Sequence, residues 1–143
     1  MSQSDIGLTL IEVMVVMVIL AVLAMVALPG YREHVRKVNR AVAGAALQKV
    51  ALRQEQFFAE QRSYANGLEE LGYPGDGFVL DRQGNVHQPS QAAGIYRISM
   101  VMTEDYYALS ATPLRSDRRC GTLTLDGLGV KGAEGPGGMD VCW

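Results

Sequence analysis

The sequence has few of the residues and motifs on which most enzymes depend. It holds two cysteines and two histidines in 143 residues, and neither pair has the C-x-x-C or H-x-x-x-H spacing of a zinc site. It also lacks the G-x-S-x-G elbow of serine hydrolases and a phosphate-binding loop of the P-loop type. We therefore expect a protein that is not an enzyme and that needs neither a cofactor nor a metal.

Charge is almost absent from the stretch between Leu8 and Leu28. Only Thr9 and Glu12 are polar among these 21 residues, which at about 1.5 Å each span about 32 Å, the thickness of a bilayer core. A secretory signal peptide has a basic head, a shorter apolar run and a small-residue cleavage site behind it. This stretch has none of the three, and it predicts a retained membrane helix.

Glu12 is the one carboxylate in this helix, and burying it in a membrane costs about 2.5–3.5 kcal/mol. Two interpretations stay open. In the first, Thr9 and Glu12 form a capping box, which places the carboxylate at the membrane interface. In the second, an amine neutralises the carboxylate. That amine is either the new N-terminus at Leu8, if the chain is cut after Gly7, or the amine of a neighbouring subunit.

The start of the helix carries a processing motif. Residues Gly7–Val16, GLTLIEVMVV, resemble the class III signal of type IV pilins. The resemblance implies that the prepilin peptidase cuts after Gly7 and N-methylates Leu8. It also implies that Glu12 pairs with a neighbouring subunit in the filament and that Pro29 bends the helix.

The sequence departs from the pilin pattern at three places. Leu8 stands where Phe is usual, Ala21 stands where a mid-helix glycine is usual, and the leader 1–7 has no Lys or Arg. Basic residues follow the membrane run instead, as Arg32, Arg36, Lys37 and Arg40. By the positive-inside rule they would keep the C-terminal domain in the cytoplasm. We expect the periplasm, because the processing motif is the more specific signal.

Helical periodicity continues beyond Pro29, so a single helix is predicted from about Leu8 to about Gln61. Its apolar stripe includes Val38, Val42, Ala46 and Val50, and Arg40 is expected to lie off that stripe. Residues 30–62 carry a net charge of +4, whereas residues 63–143 carry −4. A basic stem and an acidic head favour side-by-side packing of unlike surfaces over nucleic acid as a partner.

Strand patterns fill the second half of the chain. A short helix opening at Asn66 is predicted to stop at Gly72, followed by a mostly irregular loop over 73–94 with a brief extended piece at 78–80. Strands are predicted at 95–102, 106–111, 121–125 and around 130–131. The fold class is therefore α+β: the type IV pilin fold, with a long N-terminal helix, transmembrane in its first half, on an antiparallel sheet of about four strands.

Cys120 and Cys142 are the two cysteines. Outside the cytoplasm they are expected to form one disulfide, closing a loop of about 20 residues for roughly 3 kcal/mol; a buried free pair is the alternative. The enclosed segment holds seven glycines between Gly121 and Gly138, and it would not order well alone. In the pilins that this chain resembles, the disulfide-bounded loop forms part of the subunit interface.

The C-terminal half narrows the resemblance to PilE-type minor pilins of type IVa pili. It rests on the runs YALSATP at Tyr107–Pro113 and DRRCGTLTLD at Asp117–Asp126. The resemblance implies a minor pilin that primes pilus assembly in the inner membrane, enters the filament and supports twitching motility and attachment. Its implied partners are the other minor pilins, the major pilin, the prepilin peptidase, the inner-membrane assembly machinery and a tip adhesin.

The predicted organisation follows from these features. A leader at 1–7 is removed, residues 8–29 form the transmembrane and filament-core helix, and residues 30–143 form a periplasmic head that becomes extracellular in the pilus. The head divides into an amphipathic helix at 30–62, a connection at 63–94, and the sheet and disulfide region at 95–143.

Two alternatives keep the same fold. One is a pseudopilin of a type II secretion system, some of which hold calcium; Asp117, Asp126 and Asp140 would be the ligands, without EF-hand spacing to support them. The other is a pilin-like DNA-uptake receptor, since phosphate binding needs clustered cations. The acidic head and an Asp between the arginines count against this receptor. Its candidate patch is Arg115, Arg118, Arg119 and Lys131.

Overall fold

The computed structural model describes residues 9–90, 93–103 and 106–143. The predicted cleavage and methylation positions, Gly7 and Leu8, lie outside these ranges, as do two residues of the predicted hairpin loop, Glu104 and Asp105. The chain forms two compact units, and the boundary between them falls after Val35.

Helix α1 runs from Leu10 to Gln61. Its start shows one half of a capping box, because the Glu12 amide donates to the hydroxyl of Thr9 at 3.3 Å. Pro29 lies inside the helix, which continues past it. In the first unit the apolar side chains from Leu10 to Leu28 are exposed, and the helix is long and apolar enough to cross a membrane.

The second unit is built on one sheet of six strands in the order β2-β1-β3-β4-β5-β6. Every neighbouring pair is antiparallel. A short helix, α2, follows the sheet at Met139–Cys142. The strands are β1 Phe78–Leu80, β2 Val86–His87, β3 Tyr96–Met102, β4 Tyr107–Pro113, β5 Leu123–Asp126 and β6 Lys131–Ala133.

The core lies between one face of the sheet and the second part of α1. Alternate residues of a strand point to the same face, and the buried residues of β3, β4 and β5 follow this rule. They pack against Ala43, Leu47 and Val50 of the helix. A long helix on an antiparallel sheet confirms the predicted α+β pilin fold.

The sheet has two more strands than predicted. The extended piece at 78–80 is strand β1, whose three residues are all buried, so it shows no polar alternation that could reveal a strand. Strand β2 follows because Asp81 turns the chain: its carboxylate accepts hydrogen bonds from the amides of Gln83 and Asn85, each at 2.9 Å.

The short helix predicted after Asn66 is replaced by turns. The amides of Leu71 and Tyr73 both donate to the carbonyl of Leu68, and Gly72 has φ 79°. A buried side chain of α1 sets this path, because Gln54 accepts from the Ala65 amide at 2.9 Å and donates to its carbonyl at 3.0 Å. A contact with the long helix therefore overrides the local capping signal.

Candidate functional site

A buried ion pair joins α1 to the turn that precedes Cys120. Arg40 donates from Nε to Asp117 Oδ2 at 2.7 Å and from Nη2 to Asp117 Oδ1 at 2.8 Å. The two side chains are 2% and 6% exposed, and the hydroxyl of Tyr96 lies 3.5 Å from Asp117 Oδ2. A bidentate pair shielded from water fixes both partners in one geometry.

Asp117 also organises its own turn. Its Oδ1 accepts a hydrogen bond from the Arg119 amide at 3.3 Å, and its carbonyl accepts one from the Gly121 amide at 2.8 Å. The hydrogen bonds from Arg40 hold the pKa of the Asp117 carboxyl below its usual range, although burial alone would raise it. Burial and the charge of Asp117 raise the pKa of Tyr96 to about 12. Asp117 is therefore ionised, and Tyr96 neutral, at physiological pH.

Three arginines surround Asp117 in the sequence, and the structure separates them from it. Arg115, Arg118 and Arg119 are exposed, whereas Asp117 is buried against Arg40. The negative charge of Asp117 is thus compensated on the inner side of the turn. We call the segment 115–119 the arginine turn; its three arginines are exposed, and the aspartate among them is buried.

The disulfide between Cys120 and Cys142 is present, as predicted. It joins the residue that follows the arginine turn to α2. The bond encloses the glycine-rich segment, whose backbone lies directly against the turn. The amide of Gly137 donates to the carbonyl of Arg119 at 2.7 Å, and a Cβ at Gly135 would collide with that carbonyl oxygen. Glycine at position 135 is therefore needed for this close approach.

Lys131 lies over Trp143, whose ring forms a second contact with α1. Its Nζ lies 4.9 Å above the ring of Trp143, and Trp143 Nε1 donates to the carbonyl of Gly132 at 2.8 Å. The ring packs on Gly44, where an added Cβ would be 3.5 Å away. Since Gly44 is one helical turn after Arg40, neighbouring turns of α1 anchor the arginine turn and Lys131.

The remaining predicted residues are spread along the chain. Glu12 and Pro29 lie in α1 within the first unit, and Glu12 is exposed. The carboxylate of Asp126 is engaged by the amides of Leu128 and Val130, at 2.9 and 2.8 Å. In the residues that the structure describes, no group of three His, Cys, Asp or Glu side chains could hold a metal ion.

The prediction that Arg40 lies off the apolar stripe of α1 is wrong. The buried residues of the helix are Arg40, Ala43, Gly44, Leu47, Val50 and Gln54, so Arg40 begins the buried face. Its helical spacing to Ala43 and Leu47 is the signal that could have shown this. This spacing was not used, because Arg40 was grouped with Arg32 and Arg36 as part of a basic flank.

Comparison with known families agrees with the fold. The prokaryotic N-terminal methylation motif matches residues 4–28, and this match agrees with the pilin-like α+β fold of a long apolar helix, an antiparallel sheet and a disulfide. No curated protein and no solved structure matches the chain.

A second family model matches residues 29–124 and is described as "Type IV minor pilin ComP, DNA uptake sequence receptor". Because this match covers more than half of the 143 residues, the chain belongs to the ComP family of type IV minor pilins. The matched region includes Arg40 and the arginine turn.

Proposed function

We propose that this minor pilin is a DNA receptor that binds duplex DNA during uptake, with the arginine turn as its phosphate-binding surface. The observation that carries the proposal is the burial of Asp117 against Arg40 within the arginine-rich run. The family description, which names a DNA receptor, supports the same function. The proposal revises the expectation that nucleic acid is an unlikely partner. That expectation rested on the acidic head and on the position of Asp117 among the arginines, and the burial of Asp117 removes the second ground.

The chemistry suits the phosphate backbone. Guanidinium groups bind phosphate oxygens through two parallel hydrogen bonds, and each neutralised phosphate releases bound counterions. Contacts from Arg115, Arg118, Arg119 and Lys131 would give a slope of log K against log salt of about −3.6. Such contacts fix the position of DNA and carry no sequence information, so any preference for one sequence would come from additional contacts with base edges.

The test uses full-length protein in a neutral detergent and a fluorescent DNA duplex, titrated over a range of salt concentrations. The double variant Arg118→Ala/Arg119→Ala should weaken binding and lower the magnitude of the salt slope by about two. The matched control is Arg62→Ala/Arg82→Ala, which removes two other exposed arginines. An equal loss in both double variants would show attraction by net charge alone and would refute the site.

A second proposal concerns the pilus, and the methylation motif supports it. Cleavage after Gly7 and methylation of Leu8 would release a periplasmic pilin from the inner membrane into the filament, with Glu12 paired to a neighbouring subunit and Pro29 bending the helix. Priming of assembly, twitching motility and attachment would follow from that incorporation.

Mass spectrometry of the N-terminal peptide, in inner-membrane and sheared-filament fractions, tests this second proposal. Methylated Leu8 in both fractions would support a filament subunit. Methylated Leu8 in the membrane alone would favour an assembly primer or a pseudopilin of a secretion system. An intact Met1 in both fractions would refute processing.

A further inference from the structure

We propose that Arg40 is a positioning residue for DNA binding, which acts by keeping Asp117 away from the DNA-binding face of the arginine turn. The inference rests on the proposed function above. Arg40 itself is 2% exposed at its side chain, so it contacts no DNA. Its proposed effect on DNA binding passes through Asp117.

Asp117 satisfies several hydrogen-bond donors at once. Its carboxylate accepts two hydrogen bonds from the Arg40 guanidinium, one from the hydroxyl of Tyr96, and others from the amides of Arg119 and Cys120. One carboxylate thus joins the helix to the backbone of the arginine turn. If the carboxylate rotated outward, the turn would lose this link to α1 and the hydrogen bond from the Arg119 amide together.

The charge of Arg40 keeps the carboxylate of Asp117 buried. An ionised carboxylate is stable away from water only when a charged, hydrogen-bonded partner compensates it. Arg40 provides that partner with a bidentate contact, which the single-point ammonium of a lysine does not reproduce. Tyr96 is 3.5 Å away and, as a neutral hydroxyl, does not replace the charge.

Loss of Arg40 would remove the reason for Asp117 to stay buried. Asp117 would then be more stable in solvent, within one or two residues of Arg118 and Arg119, where it would pair with them and compete with DNA phosphates. Arg40 therefore has two effects on the site: it sets the conformation of the arginine turn, and it keeps an internal anion away from the guanidinium groups.

A double-mutant cycle separates this role from stability. We would measure the affinity of full-length wild-type, Arg40→Met, Asp117→Asn and Arg40→Met/Asp117→Asn proteins for one mixed-sequence DNA duplex. Each is measured at a temperature where near-ultraviolet circular dichroism shows a folded head. Arg40→Met should weaken binding about tenfold, and adding Asp117→Asn should restore most of the loss, because coupled residues show interaction energies of this order.

The matched control is Arg53→Met on the same helix. Arg53 donates to the carbonyl of Leu71 at 2.7 Å and lies 5.1 Å from the centre of the Tyr73 ring, so its loss removes a structural arginine without touching the arginine turn. It should change stability and leave DNA affinity unchanged. If Arg40→Met does not fold, Arg40→Lys provides the test, with an expected severalfold loss of affinity at unchanged secondary structure.

Different outcomes overturn the two proposals. If Arg118→Ala/Arg119→Ala weakens binding but folded Arg40→Met or Arg40→Lys does not, the positioning role is wrong and the receptor function stands. If the Asp117→Asn substitution fails to rescue Arg40→Met, Arg40 has a structural role only. If the arginine-turn variants themselves bind DNA like the wild type, the proposed function falls, whatever Arg40 does.

Discussion

Two carboxylates, Glu12 in the first unit of the chain and Asp117 in the second, have opposite environments. In the second unit, Asp117 is buried and its charge is compensated within the same molecule by Arg40. In the first unit, Glu12 is exposed on an apolar helix, and the amine proposed to neutralise it belongs to a neighbouring subunit. This difference agrees with the roles proposed for the two carboxylates, in which Asp117 shapes a single subunit and Glu12 pairs with a neighbouring subunit.

The sharpest test of this comparison is Asp117→Ala. It leaves the Arg40 guanidinium buried without its carboxylate, and breaking such a pair costs about 3–5 kcal/mol. Urea denaturation of the folded head should show this loss. The control Arg40→Met/Asp117→Leu removes both charges and should lie within about 2 kcal/mol of the wild type, because well-packed apolar pairs replace buried ion pairs at little cost. Equal losses in both variants would show that packing, and not the uncompensated charge, dominates.

The second anchor on α1 should have a smaller effect. Gly44→Leu places a large side chain against the ring of Trp143, and overpacking of this kind costs about 1–3 kcal/mol. Gly44→Ala is the matched control, since its Cβ would meet the ring at 3.5 Å, an ordinary contact. Alanine should keep or slightly raise stability, because it is a better helix former than glycine. Thermal unfolding of the two variants measures the difference, and a destabilised alanine variant would contradict this packing.

Lowering the pH should reduce the contribution of the Arg40–Asp117 ion pair to stability. The pKa of Asp117 is lowered in the folded state, so its contribution to stability is complete above the unfolded pKa of about 4 and disappears as pH falls through the lower folded pKa. The free energy of unfolding should therefore fall below about pH 4 in the wild type. In Arg40→Met/Asp117→Leu this part of the fall should be missing, and an unchanged acid profile would argue against the pair.

The smallest effect on the head is expected from Glu12→Ala. This substitution lies in the other unit and should leave the free energy of unfolding of the head unchanged. It should nevertheless reduce the protein recovered in sheared filaments, while processing after Gly7 continues. Immunoblots of membrane and filament fractions measure both outcomes, with the conservative variant Glu12→Asp as the control. Normal assembly of Glu12→Ala would remove the contrast with Asp117.

Local sequence patterns predicted those parts of the fold whose cause is local. Helix α1 and strands β3, β4 and β5 have the periodicity of one buried face, so their positions follow from the residues themselves. Strand β1 is buried on both sides, and the turns after Asn66 depend on Gln54. Neither feature has a local signal of its own.

The candidate site was predicted in its parts and missed in its arrangement. The three arginines were recognised as a candidate patch, and Asp117 was counted against them. Its partner, Arg40, is 77 residues away in the sequence, and no pattern in either segment shows that they meet. The structure shows that Asp117 is buried against Arg40, so its charge no longer counts against the proposed arginine patch.

The disulfide has a consequence for when the site becomes active. Cysteines stay reduced in the cytoplasm and oxidise after export, and the Cys120–Cys142 bond fastens α2 to the end of the arginine turn. In newly synthesised chains, which are still in the cytoplasm with the chromosome, the disulfide next to the arginine turn would therefore not yet have formed. We expect the proposed DNA-binding site to be complete only after export. The cell's own chromosome would then not compete with DNA from outside for this site.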